Sequence, residues 1–323
     1  MVRISIDSGK SCTKVSYSFE GEERTFKMLS NVSHTSKDIP TTDEAVAILM
    51  NDESGSNRRY LVGEYGQNDY VEYRTQLSKL NEAHKILVIA AIVKVLDKCG
   101  RHDSSRIESV EIAVNTPVDL FKTDGFQSDI KSFYKSNGNP YEVEFKNKTY
   151  RFEIKRVVPM FEGLGAVLLN RSKYAGEGSE VISLDFGSLN TCFATFVNCK
   201  PVGQLSSNLS GSMEKLISSV EKVLIRADVA NLTETNIQDI IKGSYPYHLD
   251  LEVQEEVDRV CEKFVKETKH KLVSSGVNIN RPVVGSGGGA ILLDRFVKKA
   301  FPMYEKCTDP LYANARAGLK LLN

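Results

Sequence analysis

The sequence predicts an α/β protein built from two similar halves. Three observations carry that expectation. Strand-like and helix-like hydrophobic periods are mixed throughout the chain. The segment ISIDSGKSCT, from Ile4, returns as ISLDFGSLNT, from Ile182, at a constant offset of 178 residues with five of ten positions identical. Each copy has the same order: a short apolar strand, Asp-x-Gly, a polar turn and a second strand, near the start of one half.

Composition narrows the function classes. The chain has 323 residues, with 42 Lys plus Arg balanced by 42 Asp plus Glu. Zero net charge argues against gripping nucleic acid by bulk charge. With 41% hydrophobic and 26% charged residues, the composition is that of a globular protein. At this length a core forms without disulfides or a structural metal. Cysteines stand at 12, 99, 192, 199, 261 and 307, with no Cys-x-x-Cys, and the five histidines are scattered. A zinc site or disulfide framework is not expected, and a reducing cytoplasm is the simplest setting. The longest apolar run, Ile86 to Leu96, is interrupted by Lys94 and is too short to span a bilayer. The N-terminus passes directly into a strand pattern without a signal peptide. No membrane partner is expected.

The elements follow in order. Lys14 to Phe19 and Cys192 to Asn198 are the second strands of the two repeats. Asn31 to Asn57 is polar and irregular, and reads as loop with a short element inside. Leu80 to Cys99 reads as a buried helix, with Asn81 near its start and Gly100 just past its end. Val110 to Val114 is a strand stopped by Asn115-Thr116-Pro117. Val118 to Tyr134 reads as one helix. Tyr141 to Phe145 and Thr149 to Val157 form a hairpin around Lys146-Asn147-Lys148. Gly163 to Tyr174 reads as a helix, and Gly211 to Ala227 and Leu251 to Val273 as amphipathic helices. Val283-Val284 is a strand leading into Gly285-Ser286-Gly287-Gly288-Gly289. Ala290 to Lys299 and Leu311 to Leu322 are helical.

Asp7 and Asp185 end strands just before a glycine turn. Gly9 and Gly187 let backbone amides approach an anion closely. A single turn of this kind is better explained as a plain hairpin. Two equivalent copies suggest two loops closing on one ligand, and phosphates with a hydrated Mg²⁺ fit two carboxylates. Lys14 lies seven residues after Asp7, where its ammonium can return to the turn; the bland alternative is a surface lysine. Its counterpart is Cys192, so only one half supplies that charge. The glycine run at 285–289 lets a ligand lie on bare backbone at a helix start. It comes too late in the chain for a dinucleotide fingerprint, so an adenosine- or ribose-contacting loop is preferred. Glu162 has two readings. It stabilises a helix dipole, or it orients a water attacking a terminal phosphate.

Together these residues resemble the actin, Hsp70 and sugar-kinase ATPase superfamily. IDSGKSCTK (Ile6 to Lys14) is similar to the first phosphate loop of actin-like proteins, and LDFGSLNT (Leu184 to Thr191) to the second. VVGSGGGA (Val283 to Ala290) resembles the adenosine motif. Glu162-Gly163-Leu164-Gly165-Ala166 matches a Glu/Gln-x-x-Gly-Ala pattern in the first connecting helix, and ANARAGLKLL (Ala313 to Leu322) resembles the last helix. Motif order and length look most like the ParM/StbA plasmid-segregation bacterial actins. Two departures stand out. Ser188-Leu189-Asn190 replaces the usual Gly-Thr-Thr, leaving Asn190 or Thr191 to take over the hydroxyl contacts. Met160, not an acid, follows Pro159, which moves the catalytic match to Glu162.

The resemblance implies two actin-like, ribonuclease H-like domains, each a mixed sheet flanked by helices, with a nucleotide cleft between them. Domain I is expected at 1–158, with a small inserted subdomain near 31–75. Domain II is expected at 159–323, with a helical subdomain near 210–275, and the last helix, 311–323, crosses back to domain I. The cofactors implied are ATP or ADP, with GTP as the alternative, and Mg²⁺ held through water by Asp7 and Asp185. Gly9, Lys10, Ser11, Cys12, Lys14, Gly187, Ser188, Leu189, Asn190 and Gly211 are expected around the phosphates, and Gly287, Gly288, Gly289 and Ala290 around the adenosine. Glu162 would position the attacking water. The function implied is a cytoplasmic ATPase that polymerises into dynamic filaments and segregates plasmid DNA. It would act through a ParR-like adaptor bound to a centromere-like site, with no direct nucleic-acid contact of its own. The alternative is a small-molecule kinase or another non-filamentous ATPase of the same superfamily.

Overall fold

A computed structural model describes residues 1–36, 42, 45–51, 56–64, 66, 76, 78–102, 105–136, 138–209, 211–229, 232–245 and 249–323. The chain divides into two compact units, residues 1–161 with 314–323, and residues 162–313.

The first unit opens with strands β1 (Val2–Ser8), β2 (Cys12–Phe19), β3 (Glu22–Leu29), β4 (Val32–His34), β5 (Ala45–Asn51) and β6 (Asn57–Gly63). Helix α1 (Glu82–Lys98), strand β7 (Glu108–Thr116), helices α2 (Val118–Phe121) and α3 (Phe126–Tyr134), and strands β8 (Tyr141–Phe145) and β9 (Lys148–Phe161) follow. The second unit carries α4 (Leu164–Leu169), α5 (Arg171–Tyr174), β10 (Glu180–Phe186), β11 (Thr191–Val197) and β12 (Lys200–Leu209). Helices α6 (Met213–Arg226), α7 (Glu234–Lys242) and α8 (Leu251–Ser274) come next, then β13 (Val283–Ser286), α9 (Gly288–Leu292), α10 (Asp294–Ala300) and β14 (Tyr304–Lys306). The final helix is α11 (Ala313–Leu322).

Among the described residues the first sheet runs β3-β2-β1-β7-β9-β8-β5-β6-β4 and the second β12-β11-β10-β13-β14. The repeat seen in sequence is repeated in topology. In each sheet the first three strands form an antiparallel meander, and the repeat strand pairs in parallel with one later strand, which in turn pairs in parallel with another. Register follows the same offset, because Asp7 lies opposite Lys14 and Asp185 opposite Cys192. Both units are therefore mixed sheets flanked by helices, and the α/β expectation holds.

Each unit has its own core. In the first, α1 is buried on nearly every side, as expected for a helix apolar all round. Asn81 caps it by accepting from the His84 amide at 3.1 Å, an arrangement that contributes about 1 kcal/mol. Lys94, which breaks the apolar run, is accommodated by placing its ammonium 5.1 Å from the Phe26 ring centre. Helix α11 belongs to this unit through residues 314–323. It lies against the sheet at Gly318, where any Cβ would meet Ser5 Oγ, Met160 Sδ and Ala113 Cβ at 3.0 Å or less.

Several expected elements are altered. The helix foreseen over Val118–Tyr134 is two helices, parted where Gly125 takes a φ of 81°. The helix foreseen over Gly163–Tyr174 breaks at Asn170, whose side-chain amide donates to the Ala166 carbonyl at 2.8 Å. Ala290–Lys299 is likewise split, between α9 and α10. The segment 31–57, read as loop with one short element inside, contains two strands, β4 and β5. Much of the inserted subdomain expected near 31–75 lies outside the described residues. Strands β3, β6, β12 and β14 and helix α7 were not anticipated.

Candidate functional site

The first unit's turn joins β1 to β2. The Gly9 amide donates to the Asp7 carbonyl at 2.9 Å, and a Cβ on Gly9 would sit 2.7 Å from the Cys12 carbonyl oxygen. Only glycine fits so tight a turn without displacing backbone. Asp7 is 7% exposed. Two ammonium groups flank its carboxylate: Lys14 Nζ lies 3.9 Å from Oδ2 and Lys79 Nζ 4.0 Å from Oδ1. Both separations are at the outer edge of an ion pair. Lys14 therefore does return to the turn, with its Nζ 3.0 Å from the position of a Cβ on Gly9. Lys10 donates to the Gln76 carbonyl, Ser11 is exposed, and Cys12 is half-buried. Burial raises the Cys12 thiol pKa, against a smaller opposite effect of Lys14.

Lys79 and His84 carry no motif and were missed in the sequence. Lys79 lies just before α1, and its side chain is 3% exposed. His84, in the first turn of α1, has its Nδ1 3.2 Å from Ser8 Oγ. Burial holds its pKa well below the usual value, and Lys79 and Lys10 push the same way. The ring is thus neutral beside the turn.

The second unit repeats the turn. The Gly187 amide donates to the Asn190 carbonyl at 2.9 Å, and a Cβ on Gly187 would lie 2.6 Å from that oxygen. Asp185 is also 7% exposed. The turn is anchored on α6, whose first amides, from Met213 and Glu214, donate to the carbonyls of Gly187 and Ser188 at 3.2 and 3.0 Å. Ser212 caps that helix by accepting from the Lys215 amide. Gly211, just before the cap, packs against the Phe264 ring. Ser188 and Leu189 are half-buried at the tip.

The glycine run joins this turn. Gly287 has a φ of 80°, and a Cβ there would lie 2.4 Å from Asp185 Oδ1. A Cβ on Gly289 would meet Phe186 Cβ and Met213 Sδ at 2.6 Å. Gly288 has only Leu311 near it, at 3.9 Å, and Ala290 is fully buried. The Gly289→Ala variant is accordingly expected to lose about 1–3 kcal/mol of stability by overpacking. Gly288→Ala should lose clearly less. Chemical denaturation of the two variants beside the parent checks this.

Glu162 immediately precedes Gly163, which has a φ of 88°. Gly163, the residue that caps α4, has no side chain to bond the helix amides. Cys192 Sγ lies 3.2 Å from Glu162 Oε2. The same thiol lies 3.1 Å from Asn208 Oδ1, which also accepts from Asn190 Nδ2 at 3.0 Å. The Gly163 carbonyl accepts from Ser183 Oγ at 2.6 Å. Met160, two residues earlier, is 1% exposed and packs under α11 at Gly318. Asn190, foreseen near phosphate, has its amide turned onto Asn208, and Thr191 is fully buried.

The donor set suits a nucleotide. Within each unit a buried carboxylate stands beside a tight glycine turn, with two lysines near the one in the first unit, and such groups suit phosphates and a hydrated divalent cation. Among the described residues no helix is long and apolar enough to cross a membrane.

Comparison with known proteins agrees. Residues 5–165 match the model of the N-terminal domain of actin-like proteins. No curated protein matches the chain in sequence. Among solved structures, an archaeal actin homologue is 19% identical, with 100% of this chain and 99% of that chain covered and a TM-score of 0.75. Its complex with ADP is similar over the same coverage with a TM-score of 0.71. The Alp12 filament structure is 20% identical over 99% of this chain and 97% of that one, with a TM-score of 0.70. The apo pSK41 ParM protein is 17% identical over 99% and 96%, with a TM-score of 0.69. With its paired Asp-x-Gly turns, the chain carries an actin-like N-terminal domain over residues 5–165 and has, along its whole length, the fold of these actin homologues.

Proposed function

We propose that the chain is a filament-forming nucleoside triphosphatase that binds ATP, with GTP as an alternative, and hydrolyses it as part of its assembly cycle. The observation that carries this reading is the pair of matched turns, each with a buried Asp followed by a glycine that no side chain could replace. The ADP complex of the archaeal homologue and the filament of Alp12 support it.

Asp7 and Asp185 would hold a hydrated Mg²⁺, which would supply charge neutralisation at the phosphates. The amides around Gly9–Cys12 and Gly187–Asn190 bind phosphate oxygens, and Lys14 and Lys79 balance their charge. The 287–290 segment lies along the adenosine. Glu162 orients the water that attacks the terminal phosphate. As in the ParM-like actins that the sequence resembles, the filament would move plasmid DNA in the cytoplasm through a ParR-like adaptor on a centromere-like site. The protein itself, at zero net charge, does not grip the DNA.

The test is sedimentation with and without Mg-ATP. Without nucleotide the protein is expected to stay in the supernatant, and with ATP to pellet above a critical concentration on the order of micromolar to tens of micromolar. Nucleotide shifts the balance by binding the assembling conformation more tightly. A chain that binds ATP yet stays in the supernatant at several times that concentration, while phosphorylating an added small molecule, would instead be the superfamily's kinase type.

A further inference from the structure

We infer that Cys192 and Asn208 are positioning residues for Glu162, tying the water-orienting carboxylate to the second phosphate turn. The inference rests on the role proposed above for Glu162.

The geometry is a short chain of polar contacts inside one unit. Cys192 is 2% exposed, on β11. Its thiol has one proton and two acceptors within reach, Glu162 Oε2 at 3.2 Å and Asn208 Oδ1 at 3.1 Å. Asn208 Oδ1 also accepts from Asn190 Nδ2 at 3.0 Å, and Asn190 closes the turn on Gly187. The contacts therefore run from Gly187 through Asn190, Asn208 and Cys192 to Glu162. The backbone side of the same carboxylate is fixed as well, because Ser183 Oγ donates to the Gly163 carbonyl at 2.6 Å.

The internal repeat points the same way. Cys192 stands opposite Asp185 in the hairpin register, as Lys14 stands opposite Asp7. In the first unit the side chain at that position turns back to its own turn and meets Asp7. In the second it meets Glu162. The position that supplies charge in one copy supplies a neutral donor in the other. A lysine at 192 would bind the carboxylate as an ion pair and draw its charge away from water, whereas a thiol orients the group and leaves it anionic. Positioned groups lose much of their effect when displaced by even an ångström, so a donor that sets the orientation of Glu162 has a direct hold on rate.

The experiment compares steady-state phosphate release, ADP affinity and thermal unfolding for Cys192→Ser, Cys192→Ala, Cys192→Val, Asn208→Ala and Glu162→Ala, with the Cys192→Ala/Glu162→Ala double variant. The expected result is a fall in kcat of roughly ten- to a hundred-fold in Cys192→Ala and Cys192→Val. KM and ADP affinity should stay within about twofold, because no phosphate contact is touched. Cys192→Ser keeps a donor and should stay within a few-fold of the parent. Asn208→Ala should fall between. In the double variant the Cys192 change should have no further effect on rate, since its target is gone. Val fills the thiol's space without a donor, so it carries the test if Ala folds poorly. Parental kcat in both Cys192→Val and Asn208→Ala, with Glu162→Ala slow, overturns the positioning role alone. Parental kcat in Glu162→Ala overturns the assignment of Glu162 and this inference with it.

Discussion

Asp7→Ala is expected to reduce Mg-dependent nucleotide hydrolysis by at least about a hundred-fold while leaving the protein folded. The carboxylate is buried and stands between Lys14 and Lys79, at 3.9 and 4.0 Å. Those separations leave the lysines drawn toward the carboxylate without tight contact. Removal has two consequences. Asp7 would no longer accept from the waters of a hydrated cation, and two ammonium groups lose the charge they share, so nucleotide binding becomes less dependent on the cation. Asp7→Asn separates the two effects, because it keeps size and removes charge. It should match Asp7→Ala in rate and exceed it in stability. Asp185→Ala should behave alike in rate, and it also vacates the space beside Gly287. Phosphate release with a magnesium titration checks all four statements. Parental rates in both Asp7 variants would show that the matched turns do not handle phosphate.

Glu162→Ala is expected to separate assembly from hydrolysis. Turnover should slow on the order of ten- to a thousand-fold, since positioning and preorganisation dominate phosphoryl transfer. Nucleotide affinity should barely change, because both turns and their lysines remain. Filaments should form with ATP and disassemble slowly. The dipole-stabilising alternative predicts only a small loss of stability and normal phosphate release. Met160→Ala is the control, two residues away. Its side chain is buried under α11, so the variant should lose about 2–5 kcal/mol of stability and keep its hydrolysis rate per folded molecule. Stalled hydrolysis in Met160→Ala with a parental Glu162→Ala would move the catalytic position two residues upstream.

The repeat and the strongly patterned elements could be read in the sequence. The Ile4 and Ile182 segments end up as strands with the same neighbours, because identical local grammar selects identical pairing. Helix α1 lies within two residues of expectation at its start, since Asn81 is a true cap. The misses share a physical cause. Strand β3, with Glu22, Glu23, Arg24 and Thr25 exposed at the sheet edge, has no apolar alternation to read. Helices α2 and α3 look continuous because Asp124-Gly125 interrupts the pattern by backbone conformation and not by hydrophobicity. At the site, aspartates and glycines are visible because turns constrain local spacing. Lys79 and Asn208 reach the two turns only through tertiary packing, so nothing nearby in the sequence marks them. Cys192 was visible as the counterpart of Lys14, but its contact with Glu162 needed coordinates.

The first unit is discontinuous in sequence, with residues 1–161 finished by residues 314–323. Its sheet face at Ser5, Ala113 and Met160 is covered by Gly318 of α11. A ribosome therefore makes most of this unit before the second unit and its remaining piece only after it. At about 5–20 residues per second, the intervening segment delays completion by on the order of ten seconds. During that interval the uncovered face is a site for chaperones or for aggregation, and the second unit, continuous in sequence, can fold first. A chain truncated before residue 314 and released from the ribosome should thus show a protease-resistant second unit and a sensitive first one.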